Sequence, residues 1–521
     1  MQSRFLGKNW VDVSSISLSE LRYFLELSAD MKQALKQRQQ ERYRLAADHD
    51  LFAALLFYEP STRTRFSFEI GAQRLGLKTV GFADSEATSA KKGESLLDTV
   101  DMFDAYDMDA VILRHPLDGA AKAVAEHMAQ DKDLPLCCFN GGDGKNEHPT
   151  QGLLDLFTIH ECCGRLQELE IGIAVDPKYG RTTHSFPVLL SLLPGNRVHV
   201  FSHPDLRMPP VVVRFLEVRG VEVKEYYDSG EQLREMLPRL DFLYMTRLQR
   251  ERFDDLAEYY RARDMFLFTR DMMEATKESF GLGHPLPDDK ENPSIHPSVK
   301  GHPKYWPKRQ AGNGVPTRMV EMALSLGLLG QAFDGEVFQP PVISDEFFVE
   351  RALDPGKRLA RSKEEGGPVD IRPLENGTVI DHVEGNPYVI TKILRILKVQ
   401  QRENIFRAGV VEAIKRPGTI KGVLMIKDRY LEDRELRLLA TIAPGSTVND
   451  IRSRRVVRKR DLFLPGIIEG LSDMTCTSHR CVTRHEYHEH IPAKAVRLEG
   501  NNGNIVKCFY CNNLMESHEL F

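Results

Sequence analysis

No stretch of this 521-residue chain approaches the roughly 20 consecutive apolar residues needed to span a bilayer. Nothing near Met1 reads as a secretory signal either, since Leu6 to Trp10 holds no apolar run and Arg4 and Lys8 interrupt the region. An excess of one charge is also missing. With 70 Lys and Arg against 75 Asp and Glu the formal net charge is -5, which argues against a general nucleic-acid binder. No internal repeat and no low-complexity tract is visible. These absences leave a globular, cytoplasmic protein as the expectation. The length exceeds what one hydrophobic core usually serves, so several domains are expected.

Cysteine is scarce, with 8 in the chain, and unevenly placed. Cys137, Cys138, Cys162 and Cys163 form adjacent pairs in apolar or helical text and read as buried thiols rather than bridges. Cys476, Cys481, Cys508 and Cys511 differ, forming a C-x4-C and a C-x2-C pair. Four thiolates so spaced suit a closed tetrahedral zinc site, which has no open position and supports folding rather than catalysis. One structural Zn2+ per chain and no organic cofactor are expected. His479, His485, His488 and His490 lie between the pairs and could replace a ligand, but both cysteine pairs are complete.

Apolar periodicity gives an amphipathic helix over Leu18 to Arg38 and buried strands at Leu51–Tyr58 and Ala110–Leu113. Further strands are expected at Glu170–Val175, Arg197–Ser202, Val221–Tyr226 and Asp241–Thr246, separated by helices such as His184–Leu193 and Val211–Val218. Strands alternating with helices imply parallel sheets covered on both faces, with ligands at the carboxyl ends of the strands. A helix from Val315 to Leu329 closes this region. Residues 334–372, rich in Pro, Gly and charge, read as a linker although Phe347, Phe348 and Val349 lie within it. A second αβ pattern follows to about Pro465, then the four-cysteine segment.

Polar residues fall where the sheet rule places ligands. Ser61-Thr62-Arg63-Thr64-Arg65 follows a buried strand and opens a helix. Hydroxyls, guanidiniums and the helix N-terminus together favour a phosphate site over a plain Ser/Thr cap. Thr88 to Glu94, alone, is a polar basic turn before a helix. Arg114-His115-Pro116 ends a strand, and His148-Pro149-Thr150-Gln151 opens a helix. A lone histidine there is usually structural; its company with Arg114 and Gln151 shifts that reading.

The words F-Y-E-P-S-T-R-T-R-F-S-F-E, R-H-P, H-P-T-Q-G-L-L-D-L-F-T-I, K-Y-G-R-T-T-H-S, Y-M-T-R-L-Q-R-E-R-F, H-P-L-P and R-Q-A-G-N-G-V-P run in order over residues 1–330. They resemble the aspartate and ornithine carbamoyltransferase superfamily, and most closely its aspartate branch. Tyr244 to Gln249 match the word that reads the amino-acid substrate, and the cysteine of the ornithine enzymes' H-C-L-P word is Pro285 here. The resemblance implies transfer of the carbamoyl group of carbamoyl phosphate to L-aspartate, giving N-carbamoyl-L-aspartate early in pyrimidine biosynthesis. It implies an α/β fold with two doubly wound parallel-sheet catalytic domains, an α+β regulatory domain and a small zinc-binding β domain. The implied boundaries are 1–149 for carbamoyl phosphate, completed by a returning helix at about 306–333, and 150–305 for aspartate. Residues 334–372 link these to a regulatory nucleotide-binding-like domain at 373–465 and a zinc domain at 466–521.

By the same resemblance Ser61, Thr62, Arg63 and Thr64 hold the phosphate. Arg114 and His148, with Thr64, polarise the carbamoyl carbonyl, and Gln151 binds the amide nitrogen. Arg63, Thr64, Arg114, His148 and Gln151 are the implied catalytic residues. Arg181, Arg247 and Gln249 clamp aspartate with Leu286 and Pro287, and the two arginines suit a dicarboxylate better than ornithine. Ser89 and Lys92 reach a neighbouring subunit's site, which implies at least a homotrimer with shared active sites. After H-P-L-P this chain departs from the family, with Asp288-Asp289-Lys290 where an arginine usually follows.

Gly377 to His382, Ala443 to Asn449 and the terminal cysteines resemble the regulatory chain of enteric-type aspartate carbamoyltransferase. Asp381, His382 and Lys459 match nucleotide-site positions. A further expected lysine falls on Met425, with Lys421 or Lys427 as substitutes. The basic run from Arg452 to Arg460 reads as a solvated strand face, a nucleotide-phosphate patch or a nucleic-acid contact. The acidic net charge and missing aromatic interleaving weigh against the last. The alternatives are a carbamoyltransferase for another amino acid, a non-catalytic nucleotide-sensing homologue, or nucleic-acid binding through the C-terminal module.

Overall fold

In the computed structural model the alternation of strands and helices resolves into two parallel sheets followed by two antiparallel ones. The structure describes residues 3–44, 50–84, 92–129, 136–227, 230–248, 250, 256–263, 266–339, 344–353, 374–384, 386–399, 406–412, 420–498 and 504–521. The chain divides into two units, Met1–Pro340 with Arg480–Glu489, and Pro341–His479 with His490–Phe521. Among the described residues no helix is long and apolar enough to cross a membrane.

The first sheet contains β1 (Phe52–Phe57), β2 (Lys78–Phe82), β3 (Ala110–His115) and β4 (Cys137–Asp143), in the order β2-β1-β3-β4. Its pairings are all parallel. The second contains β5 (Glu170–Val175), β6 (Arg197–Ser202), β7 (Glu222–Tyr227), β8 (Phe242–Met245) and β9 (Gly281–Gly283), also parallel, in the order β7-β6-β5-β8-β9. Every residue of β4, β5 and β8 is buried, as expected for strands covered on both faces. Strand order reverses between β1 and β3 and between β5 and β8. Such switch points open a crevice at the carboxyl ends of the strands.

The closing helix begins at Pro307, eight residues before the expected Val315, and ends at Ser325. The polar text Lys308 to Asn313 hides its start, whereas Pro307 at the first turn suits a helix opening. This helix packs on the helices Leu18–Lys36, Thr62–Leu75 and Pro149–Cys163. The approach is close: a Cβ on Gly71 would stand 3.2 Å from Met319 Cγ. Trp10 Nε1 donates to Ser325 Oγ at 2.8 Å, tying the N-terminal segment to the same helix. One apolar cluster holding Trp10, Phe68, Phe139, Phe157, Ile171 and Met319 runs through this unit. The helix expected at His184 starts earlier, at Arg181, with Gly180 as its cap.

In the second unit β10 (Phe348–Glu350) lies inside the stretch read as a linker. It pairs antiparallel with β15 (Arg455–Leu462). The Pro- and Gly-rich surroundings masked this short edge strand. With β11 (Gly377–Glu384), β12 (Phe406–Glu412), β13 (Ile420–Lys427) and β14 (Thr447–Arg452) it forms a six-stranded sheet ordered β10-β15-β14-β11-β13-β12. The helices Pro387–Ile396 and Asp433–Ile442 supply Val389, Ile393, Leu436 and Leu439 to its core. A small antiparallel sheet follows, β16 (Ile467–Ile468), β17 (Ala495–Arg497), β18 (Ile505–Cys508) and β19 (Leu514–Glu516).

Just past the end of β4 Glu147 is buried, accepting the Val13 N–H at 2.9 Å. Burial, then the carboxylates of Asp12 and Asp143, push it up to about 8, against the pull of Lys122 and the Val13 N–H. The folded protein therefore keeps a proton that the unfolded chain releases at about pH 4.3. The stabilisation is complete below that value and is lost as pH rises through about 8. Glu147→Gln keeps an acceptor for Val13 without titrating. Thermal unfolding is expected to show the wild-type Tm falling from pH 5 to pH 8 and the variant's falling less; parallel curves would contradict this assignment.

Candidate active site and metal centre

Three helix N-termini and the ends of five parallel strands meet at one cavity of about 700 Å³. After β1 the chain passes Glu59 and Pro60 into the helix Thr62–Leu75, whose N-cap Ser61 makes no side-chain capping bond. β3 ends on Arg114 and His115. Beyond β4, His148 is the N-cap of Pro149–Cys163, and beyond β5, Gly180 precedes Arg181–Leu190. β8 delivers Thr246 and Arg247. The cavity brings together Ser61, Thr62, Arg63 and Thr64 with Arg114, His148, Gln151, Arg181, Arg247, Leu286 and Pro287. Helix N-termini carry partial positive charge, so these ends alone favour an anion.

The side chains strengthen that field. Besides Arg63, Arg114, Arg181 and Arg247, Arg318 and Arg480 also line the cavity. Against them stands Glu59, whose Oε2 is 3.6 Å from both Arg114 Nη2 and Arg181 Nη1. Backbone carbonyls aim two of the forks: Arg114 Nη1 donates to Gly141 O at 3.0 Å and Arg181 Nη1 to Gly144 O at 3.1 Å. Gly142, at φ +111°, lets Arg181 pass, because a Cβ there would lie 2.8 Å from its Cζ.

His148 is buried and hydrogen-bonds on both ring nitrogens. Its Nε2 is 3.4 Å from Thr64 Oγ1 and its Nδ1 is 3.4 Å from Thr150 Oγ1. Burial first, then Arg181, Arg318 and Arg114, hold its pKa well below the ordinary histidine value, so the ring is neutral at neutral pH. Gln151 Nε2 donates to Asp155 Oδ1 at 2.8 Å, which leaves its carbonyl oxygen as an acceptor. Gln310 Nε2 and Tyr244 OH also donate to Asp155, at 2.7 and 2.6 Å. His284 accepts the Leu286 N–H on Nδ1 at 2.8 Å, and burial lowers its pKa to about 4 with help from Arg63 and Arg247. Leu286 itself holds φ at 56°.

Not every expected residue is brought here. Ser89 and Gln249 lie outside the described residues. Lys92 is exposed and does not line this chain's cavity. Residues passed over as site members include Glu59, Thr246, His284 and Gln310, although each sat inside a recognised word. Arg318 lay just beyond one, and its signal was a lone arginine in apolar helical text. In the divergent loop, Asp288 Oδ1 accepts the Ser294 N–H at 2.9 Å and its hydroxyl at 3.0 Å, so the carboxylate braces the loop.

The four cysteines expected as ligands come together, with all four Sγ atoms buried and within 4.8 Å of one another. Tetrahedral Zn–S bonds of about 2.3 Å require S···S separations near about 3.8 Å, so the cluster has the right size for that ion. Cys476 and Cys511 Sγ are 3.5 Å apart, and the Ser478 N–H reaches Cys476 Sγ at 3.4 Å. His479, His485, His488 and His490 are exposed and none belongs to the cluster.

On the regulatory sheet, Met425, Val379, Asn449 and Lys459 are cross-strand neighbours in succession and share one face. Lys421, four residues before Met425 on β13, lies on that face and its Nζ is 2.7 Å from Asp381 Oδ1. His382 is exposed at φ 61° beside an irregularity in β11. Within the basic run Arg460 is buried on Asp450 at 2.6 Å, which makes it structural.

Comparison with known proteins places these features. Residues 8–161 match "Aspartate/ornithine carbamoyltransferase, carbamoyl-P binding domain", and residues 167–324 match the same family's "Asp/Orn binding domain". Residues 369–463 match "Aspartate carbamoyltransferase regulatory chain, allosteric domain". The chain is 39% identical over 323 residues to the aspartate carbamoyltransferase catalytic subunit of Thermococcus onnurineus, spanning 62% of this chain and 98% of that protein. The Chromobacterium violaceum catalytic subunit is 40% identical over 319 residues, spanning 61% and 98%. Among solved structures, the M. jannaschii catalytic subunit aligns with a TM-score of 0.53 at 34% identity, covering 61% of this chain and 97% of that one. The Trypanosoma cruzi aspartate transcarbamoylase in complex with N-(phosphonacetyl)-L-aspartic acid aligns at 0.55 and 30%, covering 62% and 97%.

Proposed function

Because the chain belongs to the aspartate carbamoyltransferase family, we infer from the cavity's geometry how its residues carry out the transfer. It is an enzyme of pyrimidine biosynthesis, a catalytic region with an allosteric regulatory domain fused behind it. Carbamoyl phosphate and L-aspartate are its substrates. The neutral amine nitrogen of aspartate bonds to the carbamoyl carbon, the C–O bond to phosphate breaks, and phosphate leaves with the electron pair and takes up the proton that the amine loses.

The observation that supports these assignments is the convergence of guanidiniums and helix N-termini around a neutral histidine. Ser61, Thr62, Arg63 and Thr64 hold the phosphate at the start of their helix, and Arg63 stabilises it as it departs. Arg114, His148 and Thr64 donate to the carbamoyl oxygen, whose negative charge grows during attack. Gln151 offers its carbonyl oxygen to the carbamoyl N–H group. Arg181 and Arg247 take the two carboxylates of aspartate, aided by Gln249, and the Leu286 carbonyl with Pro287 orients the substrates. Positioning and electrostatics supply the rate, without a covalent protein intermediate. Two carboxylate-binding arginines disfavour ornithine.

Ser89 and Lys92 complete the site of a neighbouring copy in a trimer. Exposed apolar side chains of the same domain support this: Phe66 and Ile70 on one helix, Val80 on β2, and Met102 and Tyr106 at another helix. The four thiolates hold one structural zinc ion, which braces the C-terminal sheet. Asp381, His382, Lys421 and Lys459 bind a nucleotide effector, with Lys421 standing in for the lysine absent at Met425. The enzyme works in the cytoplasm, without membrane or nucleic-acid partners.

Assayed with carbamoyl phosphate and aspartate, the full chain is expected to form carbamoyl-aspartate. Arg63→Ala should lower kcat by about 10²–10³, the usual cost of an oxyanion donor, and Arg247→Ala should chiefly raise KM for aspartate. Turnover undiminished by Arg63→Ala, or ornithine outperforming aspartate, would overturn the assignment. A second test removes metal: a strong chelator is expected to release one zinc per chain and lower the melting temperature. Cys508→Ser should reproduce that loss, whereas unchanged stability in both would exclude a structural ion.

A further inference from the structure

His148 needs more than a neutral ring to serve the carbonyl: its proton must sit on the nitrogen facing the cavity. Either nitrogen of a neutral imidazole can carry it, and the partner of the other nitrogen decides which does. Nε2 faces Thr64 Oγ1 and Nδ1 faces Thr150 Oγ1, both at 3.4 Å. Hydroxyls can donate or accept, so these two contacts alone leave the choice open.

Arg318 closes it. This arginine is 3% exposed, lies on the helix Pro307–Ser325 and lines the cavity. Its Nη2 donates to Thr150 Oγ1 at 3.3 Å. Guanidinium has no acceptor, so Thr150 must accept that bond. Thr150 is fully buried, and its hydroxyl's remaining partner is His148 Nδ1. If Nδ1 carried the proton, Thr150 would accept twice and bury its own O–H without a partner, which is unfavourable. Thr150 therefore donates to Nδ1, and the ring's proton goes to Nε2.

The same guanidinium grips the phosphate-binding helix. Its Nη1 donates to Ser67 Oγ, and Ser67 in turn donates to the carbonyls of Arg63, at 2.6 Å, or Thr64, at 3.0 Å. Gly314, one turn earlier, leaves it room, because a Cβ there would stand 2.7 Å from Arg318 Nη1. We propose that Arg318 is a positioning residue which, through Thr150, holds His148 as the Nε2–H tautomer and, through Ser67, locks that donor to the phosphate-binding turn. It acts through other residues rather than on the reacting atoms. The proposal rests on His148 donating to the carbamoyl oxygen, and adds what makes the donation possible.

The test uses full-length enzyme labelled with 15N in histidine, with the His148 signals assigned by their loss in His148→Gln. The wild-type ring is expected to show Nε2 protonated and Nδ1 bare. Thr150→Val, which keeps shape but removes the hydroxyl, should lower kcat by about tenfold or more, with KM for aspartate unchanged. Thr150→Ser should recover most of the loss, which a purely steric role for Thr150 would not produce. Arg318→Met should lower kcat and also raise KM for carbamoyl phosphate, through Ser67. A protonated Nδ1 in the wild type, or wild-type kcat in Thr150→Val while His148→Gln is slow, would overturn this proposal alone. Wild-type turnover by His148→Gln would instead remove the role of His148 on which it rests.

Discussion

The catalytic unit is organised around one electrostatic problem, how to hold several guanidiniums in a single cavity before any anion arrives. Like charges at such range repel, and burial penalises Arg63 and Arg318 in addition. The fold answers by giving the forks fixed partners. Gly141 O and Gly144 O take Arg114 and Arg181, Glu59 sits between those two arginines, and Ser67 with Thr150 takes Arg318. Each of these acceptors sits at a strand end or in a helix's first turns. The parallel sheets are therefore the frame that orients the charges, and the switch points are where the charges can meet.

Much of this was legible from residue order alone, because a strand end and the following helix start are contiguous in sequence. Ser61 to Arg65 and His148 to Gln151 each announce an anion site within five residues, and the strands Glu170–Val175 and Arg197–Ser202 fall where alternation puts them. What escaped was whatever depends on distant parts of the chain. Arg318 is 168 residues from Thr150 and 251 from Ser67, so no local pattern relates them. His284 and Gln310 meet in the same way, the His284 N–H donating to Gln310 Oε1 at 2.8 Å. The helix start at Pro307 and the strand Phe348–Glu350 were hidden because composition is a poor guide where packing decides.

The second unit obeys a different rule. Its sheet is antiparallel, and the candidate effector residues Asp381, Lys421 and Lys459 share a sheet face, with His382 at an irregularity beside it. That face was readable by alternation, since Lys421, Val423 and Met425 are half-buried while Gly422, Leu424 and Ile426 between them are buried. The four-cysteine cluster was readable by spacing alone, because ligand pairs close together in sequence bring most of the geometry with them. A small sheet with few apolar residues gains from such a staple more than a large domain would.

The buried carboxyls around the cavity complete the electrostatic argument. Asp155, pushed up to about 7, and Glu321, pushed up to about 8, stand beside Arg318, and burial is the main cause for both. A carboxylate here would cancel part of the field that Arg318 contributes; a carboxylic acid does not. For both groups the folded pKa lies above the unfolded value, so their stabilisation is lost as pH rises through about 7 and 8. Keeping Glu321 protonated preserves the cavity's positive potential, and the raised values of both acids make stability fall as pH rises. The same burial that keeps His148 neutral holds Glu321 towards its acid form, so one physical condition, burial beside Arg318, shapes both the proton donor and the field in which it works.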